Sequence, residues 1–300
     1  MAIPIGLPRR STVVTVVWGA VFVVCWSSGF IGAKLGASDA PATTVLLWRF
    51  LPLAVLLAPL LLRQGRRDAH PVGWGRQVLI GALSQSGYLL AVYAAVALGV
   101  STGTTALIDG MQPLVIAALV GPLLGMVVTT RQWLGMGVGL VGVLVVILAD
   151  ASAPITDAPA WAYAVPFAGM LSLVAATVLD RRTTDRPTPL TALAVHCVTS
   201  AAVFAALAVG TGTAAPPASA QFWLATAWLV VLPTFGGYGL YWYLLARTDV
   251  TAGNALLFLV PPVTTVWGAV MFGEPFTVLT GLGLGLALAA TWVVTRERDR

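Results

Sequence analysis

The sequence has little charge and very little cysteine. Only 9% of its 300 residues are charged and 58% are hydrophobic, whereas about 25% of residues are charged in an average soluble domain. So small a polar fraction cannot cover a water-soluble globule, which excludes a strictly soluble enzyme. Disorder is also excluded, because it needs low hydrophobicity and high net charge. The two cysteines, Cys25 and Cys197, fall in apolar stretches, so neither a disulfide framework nor a metal cluster is indicated.

Long apolar stretches are what the sequence has in abundance. A membrane helix needs about 20 apolar residues to cross about 30 Å of hydrocarbon. Ten stretches qualify, at 12–31, 42–62, 77–98, 103–125, 132–149, 161–179, 190–210, 221–246, 252–272 and 276–295. Segments such as 134–148 are apolar all round instead of alternating with period two, which favours helices over barrel strands. The predicted fold is an all-α integral membrane protein with ten transmembrane helices.

The basic residues predict the orientation of the chain, because cytoplasmic loops carry an excess of Lys and Arg. With the N-terminus inside, 14 of the 16 basic residues lie on the inner side: Arg9, Arg10, Arg63, Arg66, Arg67, Arg76, Arg131, Arg181, Arg182, Arg186, Arg247, Arg296, Arg298 and Arg300. Lys34 alone lies in an outer loop, and Arg49 falls within the second span. We predict a multi-pass protein of the inner or plasma membrane with both termini in the cytoplasm. The net charge of +5 then reflects orientation and contact with anionic lipid rather than nucleic-acid binding.

The chain contains an internal repeat. Residues 88–101 resemble residues 238–251, and residues 113–125 resemble residues 261–273. The halves, 1–150 and 151–300, hold five spans each. Because five is odd, the second copy must enter the membrane from the opposite side. Inverted five-helix repeats around a midplane site are typical of secondary transporters.

Three motifs give the whole chain a family resemblance. They are CWSSGF at 25–30 followed by Lys34, WRF at 48–50 after Pro41, and LVPP at 259–262 running on to FGEP at 272–275. With ten spans in two copies of five, the sequence resembles the EamA-type branch of the drug/metabolite transporter superfamily. The resemblance implies gradient-driven export, or sometimes uptake, of amino acids and other small polar metabolites. The first copy departs from the family pattern, since it reads GM at 125–126 where the second keeps GE at 273–274.

Two charged side chains lie deep in the predicted spans. Arg49 in the second span and Asp109 in the fourth both lie roughly 10 Å below the outer surface, at about 1.5 Å of rise per residue. A charge at membrane depth is costly and is a functional candidate by default. Either the two form a structural ion pair, or Arg49 binds a substrate carboxylate while Asp109 binds an ammonium group or exchanges a proton.

Polar and aromatic side chains at a similar depth are candidates for lining a transport pathway. They are Trp26, Ser27, Ser28, Gln85, Tyr88, Tyr93, Gln112, Tyr238, Tyr241, Trp242, Tyr243, Asn254 and Trp267. Such a lining suits a small zwitterion or an amphipathic solute, although aromatic residues also collect at membrane interfaces and amides also join helices. As substrate contacts we predict Trp26, Ser28, Arg49, Gln85, Tyr88, Asp109, Gln112, Tyr238, Tyr241 and Trp267.

His196 and two proline sites complete the candidates. His196 lies about two turns into the seventh span, at roughly 5.4 Å per turn, where a histidine could serve proton coupling. It joins Asp109 as a coupling candidate, although a lone histidine in a membrane also commonly hydrogen-bonds a neighbouring helix. Pro113 and the pair at 261–262 lie mid-helix at matched points of the two copies. Matched breaks point to a transporter's site, but packing alone also explains them.

Two motifs with catalytic associations are set aside. GVSTG at 99–103 fits the G-x-S-x-G pattern of hydrolases, but no strand precedes it and no histidine lies on its side of the membrane. GVGLVG at 137–142 fits a dinucleotide-binding loop, but it lies within a span, so its glycines are interpreted as a packing face. Gly281 and Gly285 could likewise serve packing or a homodimer. We therefore predict no enzyme activity, no cofactor and no metal.

The sequence as a whole predicts a secondary transporter that works by alternating access. We expect an exporter of amino acids or related small polar metabolites, with a small-molecule substrate and membrane lipid as partners. The alternative is efflux of lipophilic organic cations. The many aromatic residues favour that alternative through cation–π attraction, whereas the presence of only one deep carboxylate weakens it.

Overall fold

The computed structural model describes residues 12–64, 73–123, 129–182, 187–238, 240 and 256–295, and these form helices joined by turns, with no strand among them. The helices are α1 (Thr12–Ala37), α2 (Ala42–Gln64), α3 (Trp74–Gly81), α4 (Tyr88–Ala97), α5 (Thr102–Asp109), α6 (Gln112–Leu123), α7 (Thr130–Ala151), α8 (Ala164–Arg181), α9 (Pro189–Gly210), α10 (Ala220–Leu229), α11 (Val260–Phe272) and α12 (Val278–Thr295). A short 3-10 turn, Ala160–Tyr163, leads into α8. The first π segment, Ala82–Gly87, joins α3 to α4, and the second π segment, Val230–Tyr238, continues α10.

The outward-facing surface of this bundle is apolar. Within the described residues, seven helical segments are long and apolar enough to cross a membrane. Val270 is 82% exposed and Leu224 is 71% exposed, and such side chains favour a hydrocarbon environment over water by about 25 cal/mol per Å². The all-helical, multi-pass class is therefore confirmed, while the count of ten spans stays a prediction.

The stretch predicted as one helix at 103–125 is in fact two helices. α5 and α6 are separated by a turn at Gly110 and Met111. Pro113 explains the break, because in a continuous helix its ring would clash with the carbonyl group of Asp109, and it has no N–H to donate. Pro113 is thus the second residue of α6 rather than a kink within a helix. Pro261 has the same place in α11, where proline is well tolerated.

The two helix breaks lie against each other. A Cβ atom placed on Gly110 would lie 3.0 Å from the ring of Pro261. α5, which precedes the first break, packs against α11, which follows the second. The matched breaks therefore meet at one contact between the two halves of the chain, next to Asp109 at the end of α5.

Each π segment leads to a tyrosine of the repeated sequence pattern. The first ends immediately before Tyr88, and the second ends at Tyr238. In the second, the Thr234 hydroxyl donates to the carbonyl oxygen of Leu229, five residues back, at 3.0 Å. π-helical turns are rare and occur frequently at functional sites. Here both π segments contribute to the same internal cavity.

α7 and α12 pack with their backbones in contact. A Cβ atom on Gly283 would lie 2.5 Å from the carbonyl oxygen of Gly142, and one on Gly142 would lie 2.7 Å from the carbonyl oxygen of Gly283. The glycines at 137–142 thus include a packing face, as small residues do between membrane helices. Gly281 and Gly285 face open space, so Gly283 is the glycine of α12 that permits the close approach.

α1 is the central helix of the bundle. It contacts α2, α4 and α5 of the first half and α10, the second π segment and α11 of the second half. Phe22 and Ile31 are fully buried in these contacts. Because α1 touches elements of both halves, side chains along it are well placed to line a space between them.

Candidate substrate site

An internal cavity lies where α1, α2, α4 and the two π segments meet. Its volume is about 50 Å³, which is room for a few water molecules at roughly 10–15 Å³ each. It is lined by Trp26, Gly29, Phe30, Arg49, Phe50, Gln85, Tyr88, Leu89, Val92, Tyr93, Pro233 and Thr234. The lining is mostly apolar with a few polar groups, which is typical of sites for small molecules.

Arg49 supplies the charge of this cavity. The residue is 4% exposed; Nη1 donates to the Tyr93 hydroxyl at 2.8 Å and Nη2 donates to the Thr234 hydroxyl at 3.2 Å. Its Nε is buried without a partner. Within the described part of the chain, no carboxylate lies within ion-pair distance of this guanidinium. A cation buried without an anion is costly, so the cavity presents a positive charge that neutral hydroxyl groups hold in place.

Asp109 is joined to the cavity through Tyr88 rather than through Arg49. The Tyr88 hydroxyl donates to Oδ2 of Asp109 at 2.9 Å, and Oδ1 is buried without a partner. Asp109 ends α5, where the negative end of the helix dipole disfavours a carboxylate. Tyr88 lines the cavity and Asp109 does not. The structural ion pair left open by the sequence is therefore absent between these two described residues; each charge is instead held by a tyrosine of α4.

Three of the predicted contacts lie elsewhere and make ordinary helix contacts. The Ser28 hydroxyl donates to the carbonyl oxygen of Cys25 within α1 at 2.6 Å. The Gln112 amide donates to the Thr177 hydroxyl of α8 at 3.3 Å. The Trp267 ring packs against Trp228 with centroids 5.8 Å apart. None of the three lines this cavity, so their contact with substrate stays a prediction.

The remaining candidates lie away from the cavity or outside the described residues. Nε2 of His196 lies 3.3 Å from Oε1 of Gln77, and His196 also packs closely against Gly81. It therefore joins α9 to α3, the second of the two roles that the sequence left open, and it does not line the cavity. Of Tyr238 only the backbone is described. Outside the described residues lie Tyr241, Trp242, Tyr243 and Asn254.

A second polar cluster joins the two halves at the start of α5. Glu274 accepts from Lys34 Nζ at 2.6 Å, from the Thr102 N–H at 3.0 Å and from the Thr102 hydroxyl at 2.7 Å. Beside it, Asp150 Oδ2 accepts from the Ser101 N–H at 3.1 Å. Both carboxylates thus lie at the N-terminal end of a helix, where the dipole favours negative charge.

Sequence reasoning did not select several residues that line the cavity. Tyr93 was named at the right depth but left out of the predicted contacts, and Phe30, Phe50 and Thr234 were not named as candidates. The spacing of Gln85, Tyr88, Val92 and Tyr93, at three, seven and eight residues from the first, is typical of one helix face, so Tyr93 could have been found. Thr234 gave no such signal, because it reaches Arg49 only through tertiary packing in a π segment.

The chain belongs to the EamA-like transporter family. The sequence pattern of that family matches residues 13–148 and matches again over residues 160–296. The family resemblance that the sequence motifs gave is therefore confirmed. The protein is a transmembrane transporter of the drug/metabolite type, which is a class distinct from enzymes.

Several named proteins are similar to it along nearly their whole length. A protein of Streptantibioticus cattleyicolor named as a probable terminal-alkyne amino-acid exporter is 28% identical, over 94% of this chain and 93% of that one. The inner membrane transporter YedA of Escherichia coli K12, which is named as uncharacterized, is 24% identical, over 93% of this chain and 90% of that one. One crystal structure of a protein has a TM-score of 0.63 to this chain at 20% identity, covering 96% of this chain and 99% of that one. At that identity the structural likeness shows the fold alone.

Proposed function

We propose that the protein is a secondary active exporter of amino acids or related small polar metabolites. The observation that carries this proposal is Arg49, a cation buried in a cavity between the two halves with no carboxylate beside it in the described chain. A carboxylate on a substrate would supply the missing anion through charge-assisted hydrogen bonds, which are about twice as strong as neutral ones. The Tyr93 and Thr234 hydroxyls orient the guanidinium to receive it.

The proposed architecture is ten spans in two inverted repeats, residues 1–150 and 151–300, with both termini in the cytoplasm. The family pattern matches once in each half, which supports two copies of one unit. A π segment before Tyr88 in one copy and a second ending at Tyr238 in the other are a further correspondence. The cavity holds only a few water molecules, so a metabolite enters when the halves move apart, as alternating access requires.

The charge of the cavity favours a substrate that carries a carboxylate, such as an amino acid, over a lipophilic cation. Aromatic rings from Trp26, Phe30 and Phe50 line it and would attract a cation. Arg49 repels one at short range, and the cavity lining contains no carboxylate to offset it. A relative named as a probable amino-acid exporter supports the same choice. Cation efflux remains the alternative, and the experiment on Arg49 tests both.

Asp109 is the proposed coupling residue. Its carboxylate meets the cavity through the Tyr88 hydroxyl, and its second oxygen has no partner. A proton arriving on Asp109 would change what Tyr88 donates to, and Tyr88 faces the substrate space. His196, the other predicted candidate, lies against Gln77 and has no comparable link to the cavity.

The test is the thermal stability of the purified protein in detergent, with amino acids, lipophilic cations, sugars and nucleosides added in turn. A ligand at 100 times its dissociation constant stabilises by about 2.7 kcal/mol. We expect a shift with amino acids that disappears in Arg49→Gln. Counterflow of the same amino acid in liposomes should disappear with it.

The matched control is Arg76→Gln. Arg76 lies on the surface, where its Nη1 approaches the Arg182 carbonyl oxygen at 3.4 Å, so removing its charge should leave binding intact. A shift with cations alone, or an amino-acid shift that survives in Arg49→Gln, would contradict the proposal.

A further inference from the structure

Two buried polar atoms in the cavity lining lack a hydrogen-bond partner, and they are of opposite kinds. Arg49 Nε is a donor and Gln85 Oε1 is an acceptor, and both residues are 4% exposed. Leaving a buried polar group unpaired destabilises the protein. One arises from α2 and the other from the first π segment, yet both line the same cavity.

The two atoms together fit an α-amino acid. Arg49 offers N–H groups and charge, which suit a carboxylate. Gln85 Oε1 can only accept, so whatever satisfies it must donate an N–H or O–H group. An α-amino acid carries a carboxylate and an ammonium donor on one carbon atom. We infer that Gln85 is the residue that binds the amino group of the substrate, opposite Arg49, an assignment that rests on the proposed amino-acid export.

This assignment differs from the one that the sequence suggested for the ammonium group. Asp109 was the candidate, but it lies behind Tyr88, whose hydroxyl already donates to it, and it does not line the cavity. The group that faces the substrate is therefore a neutral amide. A neutral acceptor does not require a charged donor, so a 2-hydroxy acid should bind, more weakly than the amino acid. A carboxylic acid with neither donor should bind worst, because it leaves Gln85 unpaired.

The rest of the lining selects the side chain of the substrate. Phe30, Phe50, Leu89 and Val92 are apolar, and burial of apolar surface favours a substrate with an apolar side chain. A second cationic group on the substrate would meet the Arg49 charge without a counter-ion in the lining. The site therefore takes α-amino acids with apolar side chains in preference to Lys-like or Arg-like ones.

The experiment compares three ligands of one carbon skeleton on the full-length protein in liposomes. L-leucine, 2-hydroxy-4-methylpentanoate and 4-methylpentanoate compete for counterflow of labelled L-leucine. The wild type should bind leucine at least about tenfold more tightly than 4-methylpentanoate, since a lost hydrogen bond to a charged group is worth that much or more. The hydroxy acid should lie between them.

Variants of Gln85 test the residue itself. Gln85→Met keeps the length of the side chain but removes the acceptor. It should lower the affinity for leucine and so bring the ratio of leucine affinity to 4-methylpentanoate affinity close to one. Gln85→Asn keeps a neutral acceptor but shortens its reach, and it should give a ratio between those of the wild type and Gln85→Met. The matched control, Gln221→Met, removes a surface amide that donates to Ser38 and should retain the wild-type ratio.

The outcomes separate this inference from the proposal beneath it. An unchanged ratio in Gln85→Met would overturn the Gln85 assignment while leaving amino-acid transport in place. If leucine and the other amino acids neither stabilise the wild type nor exchange in counterflow, the proposed function fails first and the assignment fails with it. A Gln85→Met protein that does not fold leaves Gln85→Asn to decide: a ratio there as high as in the wild type would contradict the assignment.

Discussion

The Glu274 carboxylate lies 2.6 Å from the Lys34 ammonium group, across 240 positions of sequence. The same carboxylate accepts from the backbone and the hydroxyl of Thr102. The three residues bind α1 and the start of α5 to the turn after α11. The two charged partners differ in burial: the Glu274 side chain is 5% exposed and the Lys34 side chain is 32% exposed.

We expect removal of Glu274 to cost more stability than removal of Lys34. Glu274→Ala deletes a buried ion-pair partner and an acceptor that caps α5 in addition to its N-cap residue Ser101, and it should lower the free energy of unfolding by about 2–4 kcal/mol. Lys34→Ala leaves the buried Glu274 carboxylate without its counter-ion but still bonded to the Thr102 N–H and hydroxyl, and it should cost less, about 1–2 kcal/mol. Unfolding in detergent, followed by circular dichroism, measures both. Equal losses would show that the ion pair, and not the helix cap, dominates the cluster.

The contact between α7 and α12 predicts opposite effects for two nearby glycines. Gly283→Ala places a methyl group 2.5 Å from the Gly142 carbonyl oxygen, and overpacking of this kind should cost about 1–3 kcal/mol. Gly285→Ala faces open space and should stabilise the helix by up to about 1 kcal/mol, because alanine is the better helix former. Melting temperatures of the two variants, measured side by side, test this. A loss in Gly285→Ala as large as in Gly283→Ala would contradict the packing.

The bond between Tyr93 and Arg49 predicts a strong coupling between the two side chains. Tyr93→Phe removes the acceptor for Nη1, leaves a buried N–H unpaired and should lower the free energy of unfolding by about 1–2 kcal/mol. In an Arg49→Gln background the same substitution should cost much less, because that N–H group is gone. A double-mutant cycle measures the difference. Equal costs in the two backgrounds would show that the hydroxyl does not act through Arg49.

The separation of Asp109 from the cavity lining predicts a loss of coupling without a loss of binding. Asp109→Asn should retain amino-acid counterflow but lose accumulation driven by a pH gradient, because an amide cannot exchange the proton. Both assays use the same liposomes. His196→Gln serves as the comparison, and it should accumulate substrate like the wild type because His196 lies against Gln77. Gradient-driven accumulation that survives in Asp109→Asn and fails in His196→Gln would assign proton coupling to His196 instead of Asp109.

The class of the protein was predictable because apolar length is a local property. Spans such as 42–62 and 190–210 coincide with α2 and α9 to within about two residues, the usual uncertainty of helix ends. The break in the fourth span was only half predicted. Pro113 was identified as a disruption, but the turn at Gly110 and Met111 and its contact with Pro261 depend on the packing of α5 against α11.

The candidate site was likewise predictable only in part. The depth of Arg49 and Asp109 in their spans followed from counting residues, so both were found as deep charges. The hydrogen-bond partners of the two side chains could not be predicted by counting residues. Equal depth suggested that the two charges meet, but a position along a helix does not fix the direction in which its side chain points.

The sequence by itself determined that this is a multi-pass membrane protein of the EamA-like family with a buried arginine. Composition, apolar length and short motifs are carried by residues close together in the chain. Only the tertiary structure decided that Arg49 meets Tyr93 and Thr234, that Asp109 meets Tyr88, and that Lys34 meets Glu274. Those partners come from different helices, and their approach is set by how the helices pack, a property to which every residue of both surfaces contributes.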